Sequence, residues 1–329
     1  MLNYLYRRFF YMILLFFLLS IVSFFVIQLP AGDFINTLAV RYVQSGRSVT
    51  PELLNNLRHQ YGLDRPMMVQ YFHWFWNFLH GNLGWSFSYQ QPVAKLLGDR
   101  VVLTASITLL TTIFVYLMAV PIGIYAATHQ YKPGDYFFTL LAFIGMSAPS
   151  FLLALILVMI FLKAGLGVGG LFSPEYIRAA WSFGKVVDLL KHLPLPIIII
   201  GVSGTGGLTR VMRATLLDEL GKQYVITARA KGVSEIKLLF KYPVRLALNP
   251  IMANIGGLLP AIISGGVIVE LVLSLPTVGP MLFQAIINED IYMASSLILI
   301  LSTLGLIGTV ISDIMLVVVD PRIRFVSKE

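Results

Sequence analysis

The sequence predicts an all-α integral membrane protein with six transmembrane helices and a helical external insertion after the first span. Three observations carry this. Hydrophobic residues make up 57% of the 329 residues and charged ones 12%, where a soluble domain has about 25% charged. Mean hydropathy is +0.81. The apolar residues also gather in windows long enough for a bilayer core of about 30 Å, which takes roughly 20 helical residues. Those windows are 9–29, 101–127, 137–162, 193–213, 251–274 and 294–319.

The first window follows Arg7 and Arg8. Its apolar stretch, Phe9 to Leu29, exceeds the roughly 7–15 residue core of a secretory signal peptide, and no small-residue cleavage site follows. A retained first span is expected. Lys and Arg then orient the chain. With the N-terminus inside, segments 1–8, 128–136, 210–249 and 320–329 hold 14 of the 24 basic residues, while 163–192 and 276–293 hold 4. The other 6 lie in 30–100, longer than the roughly 60 residues over which positive charge sets orientation. The expected topology is N-in and C-in.

The net charge of +8 therefore reports topology, since no nucleic-acid-binding motif accompanies it. Membrane lipid is the expected surroundings, and no nucleic acid is expected as a partner. The absence of cysteine excludes disulfides, iron–sulfur clusters and thiolate zinc sites. The chain reads as an N-terminal helix 1–29, an external insertion 30–100, a five-helix core 101–319 containing the cytoplasmic loop 214–249, and a tail 320–329.

Within the insertion, Thr50 is placed to cap a helix, with Pro51 at its first position and Glu52 in its first turn. It runs to about Tyr61 and stops at Gly62-Leu63-Asp64-Arg65-Pro66. A second helix, Met67 to Leu79, carries Tyr71, Phe72, Trp74, Phe75, Trp76 and Phe78. Such rings either lie at headgroup depth or form a stacking platform for sugar rings or aromatic side chains of a cargo. The interfacial reading is preferred.

Gly165 to Gly170 spells G-x-G-x-x-G. That pattern binds dinucleotides only between a strand and a helix. Here it follows a span on the outer side and is expected to be a flexible exit. No Walker A motif is present: Gly184-Lys185 and Gly221-Lys222 are followed by Val186 and Gln223. ATP hydrolysis through a P-loop would have to come from a partner. There is no H-E-x-x-H or G-x-S-x-G, and the five histidines lack metal-ligand spacing.

The fourth span contains Gly201, Ser203, Gly204, Gly206 and Gly207; the fifth contains Gly256, Gly257, Ser264, Gly265 and Gly266. Small residues let helices approach closely in lipid. Internal prolines 121, 149 and 260 each free a backbone carbonyl that neighbours or a cavity must satisfy. Asn254, Ser264 and Glu270 are candidates for lining a pathway, because intramembrane polar groups face the bundle interior. Asn249 is expected to cap a helix begun by Pro250. After the fifth span, Leu275 to Tyr292 contains Pro276, Gly279, Pro280 and the apolar Met281 to Ile287, which fits a half-buried external hairpin.

Residues 224–250 form a basic segment between two spans. Small Ala228 and Ala230 stand among Arg229 and Lys231, so another backbone could come close there, and Gly232 is a hinge. The helical stretch Ser234 to Lys241 places Ile236, Leu238, Leu239 and Phe240 among Lys237 and Lys241. A basic amphipathic helix of this kind either docks a partner or lies on the anionic membrane surface.

The segment resembles the cytoplasmic docking loop, or EAA loop, of ABC importer membrane subunits in the peptide/nickel permease family. Thr227-Ala228-Arg229-Ala230-Lys231-Gly232 followed by Ser234-Glu235 carries the resemblance, with Ser147-Ala148-Pro149-Ser150-Phe151 and Asp320-Pro321-Arg322-Ile323-Arg324. It departs from the family at Tyr242-Pro243-Val244-Arg245 and at Leu275-Pro276-Thr277-Val278-Gly279-Pro280. The resemblance implies a six-helix fold of the type I ABC importer kind and a non-catalytic transport subunit. It implies a sibling permease, two cytosolic ATP-binding subunits carrying ATP and Mg, and an extracytoplasmic substrate-binding protein, with no cofactor on this chain. It further implies ATPase docking by Glu219, Tyr224, Ala228, Arg229, Ala230, Lys231, Gly232, Val233 and Ser234, with a docking helix around Ala228–Ser234. Pro276, Gly279 and Asp290 would belong to the outer gate. The implied cargo is an oligopeptide, with an oligosaccharide as the alternative. An ion-coupled transporter would need carboxylates at mid-span, yet the first three windows contain none. A cargo-free membrane anchor would not need Pro-broken, small-residue spans.

Overall fold

The computed structural model describes residues 2–29, 34–46, 48–165, 169–253 and 266–319. These are mostly helical, with almost no strand, and divide into two compact units, one of 5–102 and 277–303, the other chiefly of 103–276 with 304–319. Among the described residues, four helices are long and apolar enough to cross a membrane, at Phe10–Ile27, Arg100–Thr128, Pro194–Leu220 and Ile291–Ile314.

The first unit contains α1 (Leu2–Ile27), α2 (Phe34–Gln44), α3 (Pro51–Tyr61), α4 (Met67–Leu79), the strands β1 (Trp85–Ser86) and β2 (Gln91–Pro92), and α5 (Val93–Leu97). The strands pair antiparallel, Trp85 opposite Pro92 and Ser86 opposite Gln91. α3 starts and stops where its local chemistry says. Thr50 Oγ1 accepts from the Leu53 amide, and Gly62 turns left-handed at φ 68° while its N–H bonds back to His59. α4 uses its aromatic residues mostly for packing. Trp74 and Tyr71 are buried against Phe24 of α1, the Tyr71 and Ser20 hydroxyls meet at 2.9 Å, and the Trp74 indole donates to Ser296 Oγ at 2.9 Å. Only Phe72 and Trp76 of that helix's larger rings stay well exposed. The same unit holds α14 (Val278–Ile287), whose Val278, Met281 and Ala285 pack with Val93 and Leu97 of α5.

The second unit holds α6 (Arg100–Thr128, from Leu103), α7 (Pro133–Ser147), α8 (Ser150–Lys163), α9 (Phe183–His192), α10 (Pro194–Leu220), α11 (Gln223–Ala230), α12 (Glu235–Lys241) and α13 (Pro243–Ala253). The last helix, α15 (Ile291–Val319), contributes to both units.

The window 137–162 is not one straight helix. α7 and α8 meet at 106°. Ala148 is extended, with φ −76° and ψ 128°. The following Pro149 excludes helical geometry from the residue before it and has no N–H to continue the ladder. Pro121, by contrast, stays inside α6. The expectation at Asn249 also fails, because α13 already begins at Pro243 and Pro250 lies within it. Pro243 suits that first helical position, where no N–H is required. Of the window 251–274, residues 254–265 lie outside the described set, so Asn254, Ser264 and Pro260 do too, as does the 320–324 motif.

Glycine brings α7 and α10 together. A Cβ on Gly206 would lie 2.5 Å from the Ala142 carbonyl oxygen, and one on Gly145 2.8 Å from Val202 Cγ1. Any side chain at either site would force these helices apart. Gly207 has open space beside it, so not every small residue of the fourth span serves packing. Beside this contact, Asp135 at the start of α7 pairs bidentately with Arg213 of α10, through Nε and Nη2 at 2.7 Å each.

Of the stretch 165–170 expected as a flexible exit, residues 166–168 lie outside the described residues, while 169–192 is held by specific contacts. The Gly170 amide donates to the Leu273 carbonyl at 2.7 Å. Buried Lys185 donates to the Ala179 carbonyl at 2.7 Å and sits over the Phe172 and Trp181 rings. Helix α9 itself was not anticipated from the sequence.

Candidate functional site

The 223–241 segment is two short helices joined by a tight turn. α11 ends in a Schellman arrangement: the Gly232 N–H bonds to the Arg229 carbonyl at 3.0 Å and the Val233 N–H to the Ala228 carbonyl at 3.3 Å. This geometry needs a left-handed residue after the helix, and Gly232 supplies it at φ 75°. The stretch Ala228–Ser234, expected as a docking helix, is therefore the end of one helix and the turn into the next. Glycine at 232 stops the first helix, and Ser234 stands at the start of α12.

A small core holds the pair. Val225, Ala228 and Leu238 are buried together, with Tyr224, Val233 and Tyr242 packed around them. Ala228 thus faces inward and is not open to close approach, whereas Ala230 is exposed. Tyr224 donates a 2.5 Å hydrogen bond to Glu219 Oε2 at the end of α10. Burial, reinforced by that carboxylate, raises the Tyr224 pKa above the ordinary tyrosine range. Across the turn, Arg229 grips Glu235 through Nε at 2.6 Å and Nη2 at 3.0 Å. Its hydrogen bonds hold the Glu235 carboxyl below the usual range. Both groups are open to solvent, so the pair sets geometry more than stability.

The outer side of the pair is apolar and basic. Ile236 is 76% exposed and Phe240 58%, one turn apart on α12, with Ile226 exposed on α11. Lys231, Gly232 and Ser234 are exposed between them. The predicted docking residues thus separate into inward ones (Tyr224, Ala228, Val233) and outward ones (Arg229, Ala230, Lys231, Gly232, Ser234). The sequence did not single out Ile226 as part of this face, although its spacing from Ala230 pointed there.

The candidates of the outer gate are placed differently. Gly279 is buried in α14 and Asp290 is fully buried. Asp290 Oδ2 accepts from Ser86 Oγ at 2.6 Å and the Ser88 amide at 3.0 Å, and Oδ1 from the Met293 amide at 3.4 Å. Burial pushes its pKa up against these donors. Pro276 is half-buried in the other unit. Among pathway candidates, Glu270 is described and buried, on helical residues 266–272. Among the described residues, no group of His, Asp and Glu could hold a metal ion.

Residues 119–325 match the family described as binding-protein-dependent transport system inner membrane component, and residues 1–108 match the N-terminal domain of such membrane components. The chain belongs to this family. This inner membrane component is 31% identical over 312 residues to the oligopeptide transport system permease protein AppB of Bacillus subtilis, covering 93% of this chain and 94% of that one. It is 32% identical over 310 residues to a putative peptide permease protein of Brucella ovis, with 93% and 94% covered. The inner membrane ABC transporter permease protein YejB of Escherichia coli O157:H7 is 30% identical over 287 residues, with 86% and 79% covered. As an inner membrane component of such a system, the chain is a multi-pass transport subunit.

Proposed function

We propose that this chain is one permease half of a binding-protein-dependent ABC importer for peptides. The observation that carries the coupling role is the exposed helix pair 223–241, tied to α10 through Glu219 and presenting Ile226, Ile236 and Phe240 around Gly232. A cytosolic ATPase with an apolar cleft would seat this face. Closure of two such ATPases would then displace the attached helices, as shear and hinge transitions do. The peptide cargo is supported by the names of the relatives above.

In this reading six spans cross the membrane with both termini inside, and the insertion after the first span is external. A distinct sibling permease supplies the other half, an extracytoplasmic binding protein delivers the cargo, and ATP and Mg stay on the ATPases. Asn254, Ser264 and Glu270 border the path, and Pro276, Gly279 and Asp290 help to close its outer end. The test is uptake of a labelled peptide by the full complex in proteoliposomes. Uptake should require ATP, the binding protein and both ATPases, and the purified chain alone should hydrolyse no ATP. Uptake driven by an ion gradient without ATPases would overturn the reading.

A further inference from the structure

We propose that a cleft in the first unit binds the carboxyl-terminal end of a free peptide, apart from any path through the spans. The cleft lies among α3, α4, the β-hairpin and Tyr292 and holds about 710 Å³. Ligand sites commonly measure ~300–1,000 Å³. Its lining includes Arg65 and two histidines, and among the described residues no Asp or Glu. No carboxylate of the lining itself opposes an anion entering it. His59 is already paired with Asp64 at 3.2 Å, so Arg65 is the principal charge in the lining.

The walls suit a peptide for three reasons. Trp85, 45% exposed, and the half-buried Tyr292 give ring surface above the buried Trp74. Gln70, 7% exposed, spends its amide N–H groups on the Arg65 carbonyl at 2.8 Å and the Leu63 carbonyl at 3.4 Å. Its Oε1 has no hydrogen-bond partner and is itself shut off from solvent, so it would gain from an N–H donor once the side chain turns toward the cleft. Asn77 adds a side chain that both donates and accepts, and Gln90, whose amide nitrogen already donates to the Tyr61 hydroxyl at 2.8 Å and the Phe87 carbonyl at 2.7 Å, adds an acceptor for a backbone N–H. A guanidinium fits a carboxylate through two parallel bonds. A neutral saccharide offers no anion for it.

The proposal rests on the peptide reading of the cargo. The test uses the assembled complex in lipid nanodiscs, without binding protein, and the tetrapeptide Ala-Ala-Ala-Phe as probe. Binding should be saturable, and about tenfold weaker for the C-terminal amide, as losing one charge-assisted contact predicts. Arg65→Gln should erase the preference for acid over amide, and Trp85→Ala should weaken both, with melting temperatures unchanged. Equal binding of acid and amide, wild-type preference in Arg65→Gln, or no saturable binding overturns the proposal. So does a separate titration with the binding protein in which Arg65→Gln weakens only its hold, which would make the cleft a protein contact. Uptake of the same peptide by the complete complex separates the two ideas. Uptake without cleft binding sinks the cleft alone, and absence of peptide uptake sinks the cargo reading and the cleft with it.

Discussion

Ser86 donates a 2.6 Å hydrogen bond to Asp290 across 204 residues of sequence. It fastens the β-hairpin to the start of α15, where Asp290 also accepts the Met293 amide and so caps the helix. Removing the hydroxyl leaves a buried carboxylate short of a donor. Ser86→Ala should therefore cost about 1.5–3 kcal/mol, the range for hydrogen bonds to charged groups. Asp290→Asn should cost a similar amount, and the double variant clearly less than the two together. Thermal melting of the purified complex checks this; additive losses would show that the two groups are not coupled.

The same carboxyl has a pH signature. Burial raises its pKa in the folded state, so folding favours the protonated form. The penalty for the ionised group is in place at neutral pH, recedes as pH falls through the raised pKa, and is gone below the unfolded value of about 3.9. The stability advantage of the wild type over Asp290→Asn should thus widen as pH drops from 7 toward about 4. A constant gap would contradict the assignment.

The Asp135–Arg213 pair predicts an asymmetry. Arg213→Met strands a carboxylate that is 2% exposed and should cost about 3 kcal/mol, the low end for a broken buried pair because Arg213 is 26% exposed. Replacing both residues, Asp135→Leu with Arg213→Met, should recover most of the loss. Melting of the two variants side by side decides it.

Gly232 separates folding from coupling. A Cβ there meets nothing within 4 Å, and the left-handed backbone costs an L-residue about 1–2 kcal/mol locally. Gly232→Trp should insert and assemble normally, since its bulk projects outward. ATPase activity of the complex should persist while peptide uptake collapses. Wild-type uptake would sink the docking role of this turn.

Topology is directly testable, because the chain has no cysteine of its own. Single cysteines at Gly62, Gly169 and Asn288 should react with an impermeant thiol reagent in intact cells wherever they are accessible. Those at Gly232 and Lys328 should react only after the membrane is opened. Labelling of position 232 in sealed cells would put the helix pair where no ATPase could reach it.

What the sequence disclosed was mostly punctuation and long apolar runs. Thr50, Pro51 and Gly62 act on their immediate neighbours, so both ends of α3 could be placed to the residue. The Gly232 turn and the Arg229–Glu235 clamp are equally local, yet Gly232 was read as a hinge within a docking helix and Arg229 was not paired with Glu235. Ser86–Asp290 and Asp135–Arg213 were not legible, because each pair meets only after helices have packed; Asp290 alone could be singled out, not the donor it needs. The 106° bend at Pro149 was hidden by averaging hydropathy across a window, which is blind to direction. Ala228 was assigned outward because small size was read as openness, when here it lets Leu238 settle against it.

α10 runs unbroken from Pro194 to Leu220, about 40 Å of helix at 1.5 Å per residue. Its far end holds Glu219, gripped by Tyr224 just past a two-residue joint. A continuous helix of that length would carry a push delivered at its tip along its axis. Gly206 and Arg213 also leave it little freedom to roll against α7, where backbone and ion pair interlock. A tilt imposed at the tip must then be paid out as a swing of α7 as well. Downstream of α7 stands Ala148–Pro149, where the chain turns by 106° into α8, so the elbow between them is the next element such a stroke would reach.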